Sequence, residues 1–293
     1  MAGAPSRAAF QDKLAQWRAR QGRYAELLTE LTTTGQTEAS LTDADSRGMK
    51  RVGVGYNVQV AVDAKHHLVV AANVVQAAND LHQLCDVAVA AKTELAVKQL
   101  QAVADAGYHE AQQLEACEAA GIETYVPAPG TRSGQSPAGR AVYPKSAFTY
   151  AAATDTYCCP GGHELARART VERRGKVLQY YQNRAACRVC PLRAACTTAA
   201  ARIIERLANE AVVERQAARV AAQPDLVARR KELVEHVFGT LRLWGHDDFL
   251  LKGLSKVRAE FSLSALSYNL RRVLNLLGVG ALLAALRGRV AVT

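Results

Sequence analysis

The chain has 293 residues, 49% of them hydrophobic, which is enough for a full core and excludes a disordered polypeptide. Its formal charge of +10 is unevenly spread: residues 1–130 carry 11 Lys and Arg against 15 Asp and Glu, while residues 131–293 carry 26 against 12. A basic half of that size implies an anionic partner, for which nucleic acid is the commonest choice. The alternative, a generally basic proteome, gives no reason for the asymmetry.

No apolar run has the length that a membrane span requires, since Leu270 to Leu286 is broken by Arg271, Arg272 and Asn275. No membrane partner is therefore expected. The opening MAGAPSRAAFQDKLAQW lacks the apolar core of a signal peptide, so a cytoplasmic protein is expected. Seven cysteines in that compartment do not make a disulfide framework.

In chain order, Phe10, Leu14, Trp17, Tyr24, Leu27, Leu28 and Leu31 recur at helical spacing, which predicts a helix over 6–31. VGYNVQVAV (54–62) alternates, and HLVVAANVVQ after the turn-like Asp63-Ala64-Lys65 is apolar and β-branched, so the pair predicts a hairpin. A helix follows from about Leu81 to Glu94, capped near Asn79-Asp80. Then comes a strand-helix-strand unit: LQAVAD, a helix through EAQQLEACEAA stopped by Gly121, and IETYVPAP. Asp105 falls at the end of the first of these strands, where α/β sheets present working side chains. It is equally suited to capping the turn.

Pro127 to Lys145 is loop-like and basic, and a cysteine-bearing segment runs from about Phe148 to Thr198. A basic helical stretch is expected over 201–221. In RRKELVEHVFGTLRLW (229–244), Leu233, Val237 and Leu241 recur every four residues, an amphipathic helix that carries Glu235 among bases. Glu235 reads as a solvated partner of Lys231 or as a functional carboxylate. A last helix, from about Lys256 to Leu277, is apolar on more than one face and is expected to be buried.

Cys159 lies in a CPGG turn, and Cys187, Cys190 and Cys196 lie in CRVCPLRAAC. Four thiolates from two loops suit tetrahedral Zn²⁺, with Cys158 or His163 as substitutes for one ligand, and reduced cysteines packing a small insertion as the alternative. Cys85 and Cys117 fall in predicted helices and read as core. Arg167, Arg169, Arg173, Arg174 and Lys176 flank the cysteines, so this segment is either a second DNA contact or a solvated face.

Three strings, VADAGY (Val103 to Tyr108), VEHVFGTLR and FSLSALSYNLRRVLNLLG (Phe261 to Gly278), together resemble the DDE transposases of bacterial insertion sequences. The resemblance runs from about Leu41 to Gly278. It implies an α/β fold, an RNase H-like mixed sheet flanked by helices and interrupted by the cysteine-rich insertion. The implied parts are a helical segment at 1–40, a first core part at 41–130, the insertion at 131–200, the core with its C-terminal helices at 201–280 and a tail at 281–293. It implies cleavage and transfer of DNA strands by two Mg²⁺ ions roughly 4 Å apart, held by three acidic residues. Asp105 matches the second acid and Glu235 the third. Of the tyrosine, arginine, glutamate and lysine pattern that some members show, the aligned positions here are Ala228, Lys231, Glu235 and Arg242, which keep the charges without the tyrosine. Lys231 and Arg242 are thus implied phosphate contacts, as are Arg271 and Arg272 in the SYNLRR string, where Tyr268 and Asn269 are expected to pack. His236 reads equally as a surface residue.

No strand bearing the first acid precedes residues 6–31, and Asp43 and Asp45 follow its position in the family. The expectation is therefore an N-terminally truncated transposase that is inactive alone, with transposon ends and target DNA as partners and a homo-oligomer when full length. The alternative is a DNA-binding remnant or regulator without catalysis.

Overall fold

In the computed structural model of the protein, the described residues are 6–49, 53–129, 142–246 and 248–290. The basic loop expected between Pro127 and Lys145 lies largely outside them. The chain forms two compact units, Met1–Leu100 with Ala228–Thr293, and Gln101–Val227.

The first unit opens with α1 (Arg7–Thr34), capped by the Ser6 hydroxyl and closed by Gly35 at φ 68°, the left-handed conformation in which glycine is unstrained. None of its residues is buried. Two short strands, β1 (Arg47–Met49) and β2 (Gly53–Gly55), pair antiparallel, followed by β3 (Asn57–Val62) and β4 (Val69–Val75). β3 and β4 form the expected antiparallel hairpin. The Asp63 carboxylate organises its turn by accepting from the backbone N–H groups of Lys65 and His66. Next comes α2 (Leu84–Glu94), three residues shorter at its start than the sequence suggests.

Of the second unit, β5 (Leu100–Val103) pairs with β6 (Ile122–Tyr125) around α3 (Ala111–Ala119). Five strands then make a curled antiparallel sheet in the order β11-β10-β9-β8-β7: β7 (Thr149–Ala151), β8 (Thr156–Cys158), β9 (Glu164–Arg173), β10 (Lys176–Gln182) and β11 (Ile204–Leu207). Two short helices, α4 (Arg184–Val189) and α5 (Arg193–Cys196), lie between β10 and β11. The basic stretch expected to be helical over 201–221 begins instead as β11 and becomes α6 (Glu210–Ala222) only after Asn209. Its apolar Ile204 is needed in the sheet's core with Phe148, Tyr157, Leu165 and Tyr181. Tertiary packing overrode local propensity there. Behind it, the buried Gln216 of α6 accepts from Thr124 Oγ1 at 2.8 Å and donates to Val126 O at 3.1 Å.

The chain returns to the first unit through α7 (Pro224–Leu243) and α8 (Leu254–Val290). Val237 and Leu241 of α7 are buried with Val257, Phe261, Ala265 and Tyr268 of α8 and with Val69 and Val74 of β4. Two helices thus bury their stripes against one hairpin, each fully buried Val, Leu or Phe contributing about 1.5–3 kcal/mol. At Gly278 the backbone leaves helical geometry (φ 78°, ψ 162°), close to where the sequence pattern ends.

α8 departs from expectation twice. Its burial is one-sided: Leu263, Leu266 and Leu270 are exposed opposite the stripe that packs on β4. By length and composition alone it is also apolar enough to cross a membrane, which the interruptions at Arg271, Arg272 and Asn275 seemed to exclude. The described strands fall into one five-stranded set and three two-stranded pairs.

Candidate functional site

Glu235 lies on α7 two residues before the fully buried Val237, so the helix that carries it is fixed to the β3–β4 hairpin while its own side chain stays 64% exposed. Lys231 Nζ stands 3.8 Å from Glu235 Oε1, one helical turn away. Arg242, seven residues on, is exposed as well. The solvated ion pair and a carboxylate presented to a ligand among cations are both compatible with this placement.

One turn round α7 from Glu235, a cavity of about 170 Å³ is lined by His236, Thr240, Trp244, Tyr268, Arg271 and Arg272, with Asn275 at its side. His236 Nδ1 and the Tyr268 hydroxyl are 2.9 Å apart, and the Arg271 guanidinium sits over the Trp244 ring at 5.9 Å. Arg272 Nε donates to His66 O at 2.8 Å. Burial lowers the pKa of the nearby His67, the positive charges of Arg272, His236 and Arg229 lower it further, and Asp63 raises it. Among the described residues no carboxylate lines the cavity, so Arg271 and Arg272 stand where an anion would be welcomed. Trp244 and His236 were not singled out as partners of these arginines. The fourfold spacing His236, Thr240, Trp244 on one helical face was the signal for them.

Asp105 belongs to the second unit. It ends the segment after β5 and caps a short 3₁₀ turn, Ala106–Tyr108, its Oδ1 accepting from Gly107 N at 2.9 Å. The capping role weighed from sequence is thus present. Asp105 and Glu235 lie in different units, and each is placed only within its own.

Asp43 and Asp45 have a structural task in the first unit. Asp43 accepts from the Tyr56 hydroxyl at 2.8 and 2.9 Å and from Gly253 N at 3.2 Å, and Asp45 accepts from Leu254 N at 2.8 Å. Burial opposes the charge on Asp43, but the Tyr56 hydroxyl and the backbone donors outweigh it and hold its pKa below the ordinary value. The two aspartates cap α8 at its positive end.

In the second unit, Cys159, Cys187, Cys190 and Cys196 line one small cavity together with His163. The turn Cys159–His163 closes through Cys159 N to His163 O at 3.0 Å and Gly162 N to Cys159 O at 2.9 Å. A Cβ at Gly161 would sit 3.5 Å from Cys190 Sγ and 3.7 Å from Cys159 Sγ, in van der Waals contact with both, so this glycine lies directly beside the two thiols. Burial pushes the Cys196 thiol up, Arg202 pulls it down, and the proximity of Cys187, Cys159 and Cys190 raises it again. Cys158 is exposed and does not line the cavity, whereas Cys117 is buried in α3 as expected. In residue type this donor set suits a soft tetrahedral cation. In geometry, no group of three or more His, Cys, Asp or Glu among the described residues is arranged to hold a metal ion. That holds for the acidic residues too.

Comparison with curated proteins and with solved structures gave no match. The transposase DDE domain family matches residues 158–274, a span that takes in the cysteine cluster, α6, α7 with Glu235 and α8 as far as Leu274, and leaves Asp105 outside. A transposase DDE domain is present in residues 158–274 of this chain.

Proposed function

We propose that the chain acts on DNA as an insertion-sequence DDE transposase with an RNase H-like core, in the cytoplasm. Asp105 and Glu235 serve as two of its metal-binding carboxylates, and Lys231, Arg242, Arg271 and Arg272 contact phosphates. The observation that carries this reading is the transposase DDE domain over 158–274, with Glu235 inside it on a helix flanked by cations. Bound Mg²⁺ would supply charge stabilisation at the scissile phosphate and an activated oxygen nucleophile. The chain's own cations would align the phosphate backbone beside Glu235, and the cavity under Arg271 would take a neighbouring phosphate. The four cysteines are proposed to hold a structural Zn²⁺ that folds the loops at 159–163 and 187–196 onto each other.

A second reading, DNA binding without cleavage, is favoured by the placement of Glu235 as an exposed ion-pair partner of Lys231. Incubation of the purified chain with supercoiled plasmid carrying the element's ends decides between them. Mg²⁺-dependent nicking that Glu235→Gln removes supports the enzyme, whereas retained binding with no nicking in the wild type supports the second reading.

A further inference from the structure

β9 is an unusual strand for a globular protein, because of its ten residues only Leu165 is buried and only Val171 is half-buried. Its neighbours cover only its base. β8 pairs with it at Glu164–Ala166 alone, and β11 pairs with β10 only from Leu178 to Tyr181. β9 and β10 stay in register from Tyr180↔Arg169 to Lys176↔Arg173, with β10 still flanked by β11 as far as Val177, whose carbonyl accepts from Ala208 N, so the long unpaired edge is that of β9 beyond Ala166. A strand that covers no core contributes little to stability through burial, so its residues are chosen for something else.

The register decides what each face carries. Arg173 with Lys176, Val171 with Leu178 and Arg169 with Tyr180 alternate along both strands and therefore share one face. The Arg169 guanidinium lies 4.6 Å above the Tyr180 ring. Lys176 is engaged by Glu110 at 3.0 Å and Gly175 O accepts from Gln112 Nε2 at 2.7 Å, which braces the turn against the start of α3 and leaves Arg169, Arg173 and Arg174 as the exposed cations. The tip adds a second, independent observation. The two turn residues, Arg174 and Gly175, both have positive φ, 51° and 72°, as a type I′ hairpin turn requires. Glycine or asparagine is favoured at the first of these positions, and arginine is strained there. The fold thus carries a strained backbone that places a third cation at the turn next to Arg173, which is where strain points to function.

We propose that the exposed basic side of β9 and its turn is a duplex-DNA contact, with Arg169, Arg173 and Arg174 reaching phosphates along the DNA backbone. The inference rests on the proposed function, in that it takes DNA as the substrate, and adds a contact remote in sequence from both candidate carboxylates.

The test is fluorescence anisotropy of the full chain on a duplex of about three helical turns, titrated across salt. For Arg173→Ala/Arg174→Ala the slope of log K against log salt falls by about 2, since each lost phosphate contact removes about 0.9. Arg174→Gly relieves the turn, so it melts no lower than wild type and yet binds DNA more weakly. Equal affinity and slope for wild type and both variants overturns the β9 contact while leaving the transposase reading intact. Failure of the wild type to bind any duplex overturns both. Tight binding to single strands in preference to duplex overturns the β9 contact alone.

Discussion

Asn269 of α8 pairs with both backbone groups of Val69 in β4: its Oδ1 accepts from Val69 N and its Nδ2 donates to Val69 O, each at 2.8 Å. A side-chain amide here does what a neighbouring strand would do for a sheet edge, satisfying one donor and one acceptor that burial would otherwise orphan. Arg258 extends the same edge by donating to Val74 O at 2.8 Å, and the Tyr268 hydroxyl donates to His67 O at 3.0 Å. Asn269→Ala is expected to cost about 1–3 kcal/mol, the sum of two modest hydrogen bonds. Asn269→Asp keeps the acceptor, loses the donor and sets a carboxylate against Val69 O, so it should cost at least as much. Urea denaturation measures both, and a midpoint unmoved by either substitution would show that water replaces the pairing.

A pH dependence follows from Glu118, which joins α3 to α6. Arg215 Nη2 bonds its Oε2 at 2.6 Å and Arg219 Nη2 its Oε1 at 2.9 Å. Its pKa is lowered below the ordinary 4.5, first by the Arg215 bond, against which burial works, and then by Arg219. A carboxylate with a depressed folded-state pKa stabilises the fold above its unfolded value and loses that contribution as pH falls through the folded one. Stability should therefore decline as acid is added from about pH 4.5 downward. Glu118→Gln should lower the melting temperature at neutral pH and flatten this acid limb. A variant with the wild-type acid limb would assign the limb to other carboxylates.

What the sequence disclosed depended on whether one face of an element decided its fate. The fourfold stripe of Val237 and Leu241 was legible because it buries a single face, and the alternation of β3 because Val58, Val60 and Val62 pack against that same core. The cysteine segment hid its strands because β9 reads as basic and polar, with no buried face to leave a pattern. β11 was mistaken for helix because four residues are too short to outweigh the helical stretch after Asn209. At the candidate sites, residue type pointed to Cys159, Cys187, Cys190 and Cys196, and the structure lines one cavity with all four. The bond of Asn269 to a strand 200 residues away leaves no local signal at all.

The cysteine cavity makes a compositional prediction. Purified protein should carry about one zinc per chain, the stoichiometry of a four-ligand structural site. Cys190→Ser, whose Sγ borders the gap at Gly161, should lose the metal and lower the melting temperature, and the chelator-treated wild type should do the same. Cys158→Ser should retain both, since that thiol is exposed and lies outside the cavity. Elemental analysis showing no metal in a folded wild type would leave the cysteines a packing role only.

The two candidate carboxylates differ in what else they do, and the choice of substitution has to respect that. Glu235 is 64% exposed and its ion pair with Lys231 is a surface contact at 3.8 Å, so Glu235→Gln should change stability by less than about 0.5 kcal/mol. Asp105 also caps a turn through Gly107 N, so Asp105→Ala is expected to cost about 0.5–2 kcal/mol whatever its catalytic part. Asp105→Asn keeps an oxygen for that bond and removes only the charge. If the carboxylates hold metal, Asp105→Asn and Glu235→Gln both abolish Mg²⁺-dependent nicking at unchanged melting temperature. A loss seen with Asp105→Ala but restored in Asp105→Asn would reduce Asp105 to its cap. Nicking that survives Glu235→Gln would remove α7 from the chemistry and leave it as a helix that only holds DNA.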